Sequence, residues 1–381
     1  MARGGVPQRL PVWTGEVIQN RRNFYELLWI LFQRDPYRLA NLWAAYRQTV
    51  DRRVGRVPGA LRVLICVGEP GCAWFRCIPQ ALELSEDPRF DVRVTTRPTR
   101  EDFAWTYWVW LQRVKEPVAL QAIERAIGMR KRTIYEVDDD FEHVPPSNPT
   151  HDYVQNGPAG VVRDALGMAD IAAFSTAPLA DVYEAERKVI WPNVVDPDMW
   201  PQLDGPRIDG LVFGFSGSPT HNEDLATVGW VIAELMAKYE NVWFVHSGVW
   251  VGTIQLLVPH ERVLQFGMDM GPAYLSRYTR MFDIGIAPLV DNAFNRSKSG
   301  LRLLEHSWCY VPTVASDLPP YSATGIPCRL ASTQEEWWRY LEELVVSSEA
   351  RSELASAARG VVRDHWLIRQ NIWRWKDVLL E

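Results

Sequence analysis

The residues best suited to chemistry lie in one run, Asn295-Arg-Ser-Lys-Ser-Gly-Leu-Arg-Leu-Leu-Glu305. It stands between a strand pattern and a helix pattern. Small residues at a helix start let free backbone N–H groups approach a phosphate, and the helix dipole favours the anion. Ser297, Ser299 and Gly300 supply that start, with Asn295 and Arg296 just ahead of it. Lys298 adds a point charge at the same place, in a chain with six Lys against 35 Arg. Glu305 falls about two turns into the helix. A carboxylate there could accept hydrogen bonds from a ribose diol. The same spacing also suits a capped surface helix with a salt-bridged Glu.

A second turn of small residues is Gly214-Phe-Ser-Gly217-Ser218-Pro-Thr-His221. Gly217 and Ser218 suit a diphosphate, but the turn is not GxGxxG, so the dinucleotide fingerprint is absent. His221 could donate to a phosphate or serve as a surface or cap residue. In the first half of the chain, Asp138-Asp139-Asp140 ends a strand pattern. Adjacent acids repel unless a cation or donor compensates. Mg²⁺ or Mn²⁺ would suit carboxylates and phosphates; helix caps and acceptor contacts use the same residues. Asp138 or His143 could orient or deprotonate an acceptor hydroxyl. Gly71 with Arg76 could hold an acceptor or a phosphate, and a fixed ion pair suits Arg76 equally well.

These residues need elements to position them. Leu61–Val67, Phe90–Val94, Tyr107–Leu111, Thr133–Val137 and Ile171–Phe174 read as buried strands. Helices are expected at 74–84, 117–127 and 159–168. Pro- and Asp-rich residues 191–209 read as a hinge. A second series follows, with strands at 211–215, 242–246, 263–266, 284–288 and 311–315 and helices at 228–239 and 301–308. Strands alternating with helices predict an α/β chain with two Rossmann-like parallel sheets. The expected division is a helical extension at 1–58, a first domain at 59–195, a second at 196–365 and an isolated terminal helix at 366–381. Within the extension, Phe24, Leu27, Leu28, Leu31 and Phe32 follow helical spacing, Asp35-Pro36 breaks the run, and Leu39, Leu42, Trp43 and Tyr46 resume it.

Composition bounds the answer. Hydrophobic residues make up 47% and charged residues 23%, a globular balance. No apolar run reaches the roughly 18 residues of a membrane span, and no secretory leader is read at the start. Five scattered cysteines form no CxxC pair, which points away from a disulfide framework or zinc site and towards the cytoplasm. Net charge is −6, yet residues 1–58 hold ten Arg and four acids, so the extension is +6 and the remainder −12. A basic arm on an acidic body suits an anionic partner such as nucleic acid or a membrane surface, a homo-oligomer contact, or packing on the body itself.

The run Lys298-Ser-Gly-Leu-Arg-Leu-Leu-Glu305, followed by Val311-Pro-Thr-Val-Ala-Ser-Asp317-Leu-Pro-Pro-Tyr321, resembles the donor-site region of GT-B glycosyltransferases of the family-four type. Pro192-Asn193-Val-Val-Asp196 resembles that family's hinge. Ala169-Asp170 leading to Ser175-Thr176 resembles the last strand of its first domain, and Leu264-Gln-Phe-Gly267 its nucleobase loop. Tyr135-x-x-Asp138-Asp139-Asp140 with Pro145-Pro-Ser-Asn-Pro149 is similar to phage-type members. The resemblance implies transfer of a sugar from a nucleoside-diphosphate donor, a UDP-sugar first, with retention and without a required metal. It implies that Lys298 and Ser299 hold the diphosphate, Glu305 the ribose, and Gly267 and Met268 the base. The family's usual Glu eight residues before the ribose Glu is replaced by Ser297, so Arg296 or Asn295 would take over the contact to the sugar. The acceptor would be a surface glycan or a hydroxymethylated DNA base. A sugar-nucleotide epimerase or a non-catalytic sugar-nucleotide binder on the same fold is the alternative.

Overall fold

The structure is a computed structural model that describes residues 20–34, 39–202, 205–248, 260–267 and 272–381. Met268 and the Asp35-Pro36 break lie outside the described residues.

Two parallel six-stranded sheets dominate. The first contains β1 (Leu61–Val67), β2 (Phe90–Thr95), β3 (Trp108–Gln112), β4 (Arg132–Val137), β5 (Ile171–Phe174) and β6 (Lys188–Ile190), in the order β2-β1-β3-β4-β5-β6. The second contains β7 (Leu211–Ser216), β8 (Val242–Ser247), β9 (Val263–Phe266), β10 (Ile284–Ala287), β11 (Thr313–Ser316) and β12 (Arg329–Ala331), in the order β12-β11-β10-β7-β8-β9. Helices cover both faces, so the central strands are apolar throughout their length: all of β3, β5 and β10 is buried. The three-residue edge strands β6 and β12 are too short to show a pattern in sequence. The single helix expected at 74–84 is two, Pro70–Arg76 and Ile78–Ser85, meeting at Cys77. Pro79 at the second start has no N–H to give a continuous helix.

The N-terminal helix Leu39–Val54 lies against β2 of the first sheet, and Arg21–Arg34 packs on it and on the helix Pro272–Thr279. Leu28, Leu31, Leu39, Leu42, Trp43 and Tyr46 are buried. The Trp43 indole N–H donates to the Val92 carbonyl at 3.0 Å. The surplus of arginine meets acids of the body: Arg21 pairs with Glu83, Arg47 with Asp91 and Arg53 with Glu86.

The terminal stretch is not an isolated helix. It forms Ile368–Asn371 and Trp373–Leu380, and both return to the first sheet. Trp191 lies between Trp110 at 4.9 Å and Trp375 at 5.6 Å, and all three are fully buried. The Trp108 indole donates to the Leu379 carbonyl at 2.9 Å. Rings of this size bury about 150–250 Å² each, so packing rather than polarity holds the return. The chain therefore passes between the sheets twice. The passes run side by side, with Val195 N–H bonded to Trp366 O at 2.8 Å and Ile368 N–H to Val195 O at 2.9 Å. Among the described residues no helix is long and apolar enough to cross a membrane.

Candidate functional site

The carboxyl ends of the two sheets face each other across a cleft. A cavity of about 200 Å³ lies there, lined by Asp138 and Asp139 from one side and by Ser216, His221, Lys298, Ser299, Arg302 and Glu305 from the other. The helix Leu301–Trp308 begins at Gly300, with no side-chain cap and no acid in its first turn. Its first N–H groups are thus left for a ligand or water. A Cβ at position 300 would come within 2.4 Å of the Pro320 carbonyl, so the loop's seat on Pro319–Ser322 requires glycine.

Lys298 reaches across the cleft. Its Nζ is 3.2 Å from Asp139 Oδ1. Arg113 Nη1 bridges Asp138 at 2.6 Å and Asp139 at 2.9 Å. Charges thus alternate along Asp138, Arg113, Asp139 and Lys298. Burial pushes the Asp139 carboxyl up, but Lys298 and Arg113 outweigh it and hold the group well below the ordinary carboxylate range. Arg113 has φ 47° at the end of β3, a left-handed backbone that aims its side chain at the acids. Asp140 turns away from the cleft: it accepts from the N–H groups of Glu142 and His143 and meets His143 Nδ1 at 2.8 Å. The His143 side chain is 53% exposed and lies outside this cavity. The acidic triplet therefore splits into two cleft residues and one loop cap. Among the described residues no three of His, Cys, Asp and Glu converge as ligands for a metal.

On the other wall, Arg302 donates from Nε to the Ser216 carbonyl at 3.0 Å and lies over the Phe215 ring at 4.6 Å. It fixes the helix start to the turn after β7. Its only sequence signal was its place one turn after Lys298. Burial drives Glu305 up to about 8, with Arg302 opposing. A carboxyl that is neutral at pH 7 both donates and accepts, as a vicinal diol does. Burial and then Arg302 lower His221 to about 4, against the pull of Asp224. Its Nδ1 is 2.7 Å from Asp224 Oδ2. Asp224 is held ionised against burial, chiefly by His221, so that bond puts the His proton on Nδ1 and the lone pair on Nε2. Neutral His221 thus has no proton for a phosphate; an incoming anion would have to raise its pKa first.

The remaining expected residues divide between cavity and scaffold. Asn295 is buried and donates to Asp224 at 2.8 Å and to the Val290 carbonyl at 3.0 Å, so it ties loops together. Ser297 is buried; its hydroxyl donates to Phe294 O, and its carbonyl accepts from Thr176 across the cleft at 2.7 Å. Arg296 forms an exposed pair with Asp291 and lines a neighbouring cavity of about 260 Å³, between the hinge and Pro319–Thr324. The Gly217 N–H donates to Ser247 O at 3.1 Å, and Ser218 Oγ meets Thr220. Gly267 is exposed after β9. Gly71 is exposed on Pro70–Arg76 and lines no described cavity. Arg76 is fully buried, paired with Glu136 and donating to Trp191 O at 2.7 Å and Asn193 Oδ1 at 2.8 Å. It cannot reach a ligand in the cleft; it anchors the hinge. Asn193 Nδ2 then donates to Ser299 Oγ at 2.6 Å, linking that hinge to the loop beside Lys298.

The chain has a GT-B fold. No protein-family model and no curated protein matches it. Among solved structures, HepE of Anabaena in complex with UDP-glucose superimposes with a TM-score of 0.61 at 12% identity, over 84% of this chain and 99% of that one. Sucrose-phosphate synthase from Thermosynechococcus elongatus gives 0.58 at 11%, over 89% and 92%. The pneumococcal O-GlcNAc transferase GtfA, in complex with UDP and GlcNAc, gives 0.50 at 15%, over 71% and 56%. At such identities the likeness establishes the GT-B architecture. The residues above must carry the chemistry.

Proposed function

We propose that this chain is a glycosyltransferase that moves a sugar from a UDP-sugar to an acceptor hydroxyl, with retention of anomeric configuration. The observation that carries the reading is the convergence of Lys298, Arg302, the uncapped start of Leu301–Trp308 and Glu305 in one cavity at the carboxyl end of the second sheet. Two cations and a helix N-terminus suit a diphosphate, and a carboxyl about one turn further, pushed towards its neutral form, suits a ribose diol. The same fold holds UDP-glucose in HepE.

In the reaction, the bond between the anomeric carbon and the diphosphate oxygen breaks as the acceptor oxygen bonds to that carbon on the same face, and the acceptor's hydroxyl proton leaves on the departing diphosphate. Lys298 and Arg302 stabilise the charge that builds on the leaving diphosphate. Asp138, which lines the cleft, orients the acceptor hydroxyl; His143 stands outside the cavity and is the weaker candidate. Asp139 and Arg113 shape the acceptor side. A divalent ion is not required by this scheme. The acceptor is a glycan or a hydroxymethylated base, presented from the first sheet. Incubation of the full chain with labelled UDP-sugars and mixed acceptors tests the reading. A labelled product whose formation Lys298→Ala slows by about 10²-fold or more supports it. Isomerised donor would indicate an epimerase, and binding without turnover a sugar-nucleotide sensor; either outcome sinks the transferase reading.

A further inference from the structure

By count, the arginines of the N-terminal helices suit an anionic partner, yet Arg21, Arg47 and Arg53 are paired with acids of the body. Cations that keep no carboxylate gather elsewhere, at the amino ends of the first sheet, the pole opposite the cleft. Arg62 on β1, Tyr107 just before β3 and Lys131 just before β4 stand side by side there. The Tyr107 N–H donates to Arg62 O at 2.9 Å, and the Arg132 N–H to Tyr107 O at 3.1 Å. Registered neighbours on adjacent strands point to the same face. All three line a cavity of about 520 Å³. That is within the size range of ligand sites.

The charge of this cavity is unbalanced. Among the described residues neither Arg62 nor Lys131 has a carboxylate partner: Lys131 Nζ donates to the Thr106 carbonyl at 2.7 Å, and Arg62 Nη1 to the Trp105 carbonyl at 3.4 Å. Asp91 is the one carboxylate of the lining, and both its oxygens are taken by Arg47 at 2.5 Å. Arg56 adds a third cation. Its Nε is held by Asp51 at 2.7 Å and its Nη1 by the Asp87 carbonyl at 3.0 Å, while Nη2 is buried with no partner among the described residues. A buried N–H without an acceptor is costly, and a phosphate oxygen would satisfy it. The cavity also offers a ring: Tyr107 is 47% exposed. Trp105 of the same lining has the guanidinium of Arg93 at 3.9 Å and that of Arg62 at 5.9 Å, which steadies Arg62 beside Tyr107.

We propose that this groove binds single-stranded nucleic acid without regard to sequence, with phosphates on Arg56, Arg62 and Lys131 and a base on the exposed face of Tyr107. Cations along a groove with an aromatic face between them are the composition that holds single strands. A concave site suits a strand better than a flat bilayer. The exposed ring gives a base a contact that an inorganic anion cannot use. The site stands apart from the cleft and does not depend on the transferase reading.

A labelled oligothymidylate of about 12 nucleotides, long enough for one groove of this kind, is titrated into the full chain with UDP in excess. Inorganic tripolyphosphate and phosphatidylglycerol vesicles are the rival probes. The logarithm of the binding constant should fall against that of salt with a slope of about −2, at about 0.7 for each of three phosphates. Arg62→Ala should make the slope shallower by about 0.7. Tyr107→Ala should leave the slope unchanged, weaken the oligonucleotide about tenfold and spare tripolyphosphate. Arg339→Glu, on the outer helix Gln334–Val346 with its side chain 63% exposed, changes net charge more and should leave binding as it is. UDP affinity should be the same in all three variants, which shows that each has folded. Tripolyphosphate that binds as tightly as the oligonucleotide, or an oligonucleotide that ignores Tyr107→Ala, overturns the proposal. So does an Arg339→Glu loss equal to that of Arg62→Ala, which would reduce the effect to net charge. Vesicle binding that needs Arg62 while the oligonucleotide stays free would replace the strand with a membrane surface.

Discussion

The two walls of the cleft balance charge differently. On the first-sheet wall the two cleft acids share one arginine of their own side, since Arg113 bridges Asp138 and Asp139, and Asp140 caps its own loop. On the second-sheet wall, among the described residues, neither cation forms a salt bridge on its own side: Lys298 finds Asp139 across the cleft, and Arg302 is bonded to a carbonyl. A wall whose acids are tied to its own arginine keeps its shape whether or not the cleft is filled. A wall with unspent positive charge has free energy to gain from an anion. That contrast marks the second-sheet wall as the one suited to an anion, which is the basis for proposing it as the donor side.

The contrast breaks most visibly at Lys298. Lys298→Ala should lower kcat/KM for transfer by about 10²–10³, the cost of removing one preorganised donor to a developing negative charge. Steady-state kinetics with a UDP-sugar would show it, and wild-type turnover would remove the donor assignment altogether. Glu305 gives a smaller and pH-dependent effect. Its folded pKa of about 8 lies above the ordinary 4.5, so between those values the folded state holds a proton that the unfolded chain has released. Stability must therefore fall as pH rises through this window, by up to about 1.4 kcal/mol per pH unit. Glu305→Gln should flatten that slope in denaturant titrations at pH 5, 6.5 and 8 and largely keep UDP affinity, since the amide also donates and accepts, whereas Glu305→Ala should weaken UDP about tenfold through the lost ribose contact. An unaltered slope would mean the carboxyl is ionised and solvated after all.

Asp139→Asn sharpens the comparison in the opposite direction. It releases Lys298 from its only carboxylate partner among the described residues, so UDP should bind a few-fold tighter. Transfer should fall, because Arg113 loses one of its two acids. Calorimetry beside kinetics would show the split. Parallel loss of both would make Asp139 a structural residue.

Sequence made the donor wall easier to see than the acceptor wall, for a physical reason. The strand, loop and helix around Lys298 and Glu305 are contiguous, so spacing alone places both on one helix start. Even there, Arg302 stayed hidden until the turn after β7 closed over it. On the acceptor wall the partners are far apart in the chain: Arg113 and Asp139, Arg76 and Glu136. Nothing local distinguishes a cleft Asp from a capping Asp, so Asp140 read like its neighbours. Arg76 stayed open between a ligand contact and a fixed ion pair because burial is a tertiary property. The sheets were legible because buried parallel strands are long apolar runs, and the three-residue edges β6 and β12 were lost for want of length.

The smallest expected effect tests whether the walls communicate. Arg76 is fixed by Glu136 and by the Trp191 carbonyl, and it donates to Asn193, whose amide donates to Ser299 beside Lys298. Ser299→Ala removes only the last link. It should reduce UDP affinity about fivefold, the worth of one hydrogen bond of about 1 kcal/mol, and leave stability unchanged. Asn193→Ala removes two links and strands a buried guanidinium N–H. It should cost the same affinity and a further 1–3 kcal/mol, roughly, of stability. The pair separates two uses of one side chain: equal affinity losses with unequal stability make Asn193 the joint between a rigid first domain and a ligand-sensing loop. If Asn193→Ala lost stability but bound UDP like wild type, the hinge would carry load without informing the site, and the two walls would act independently.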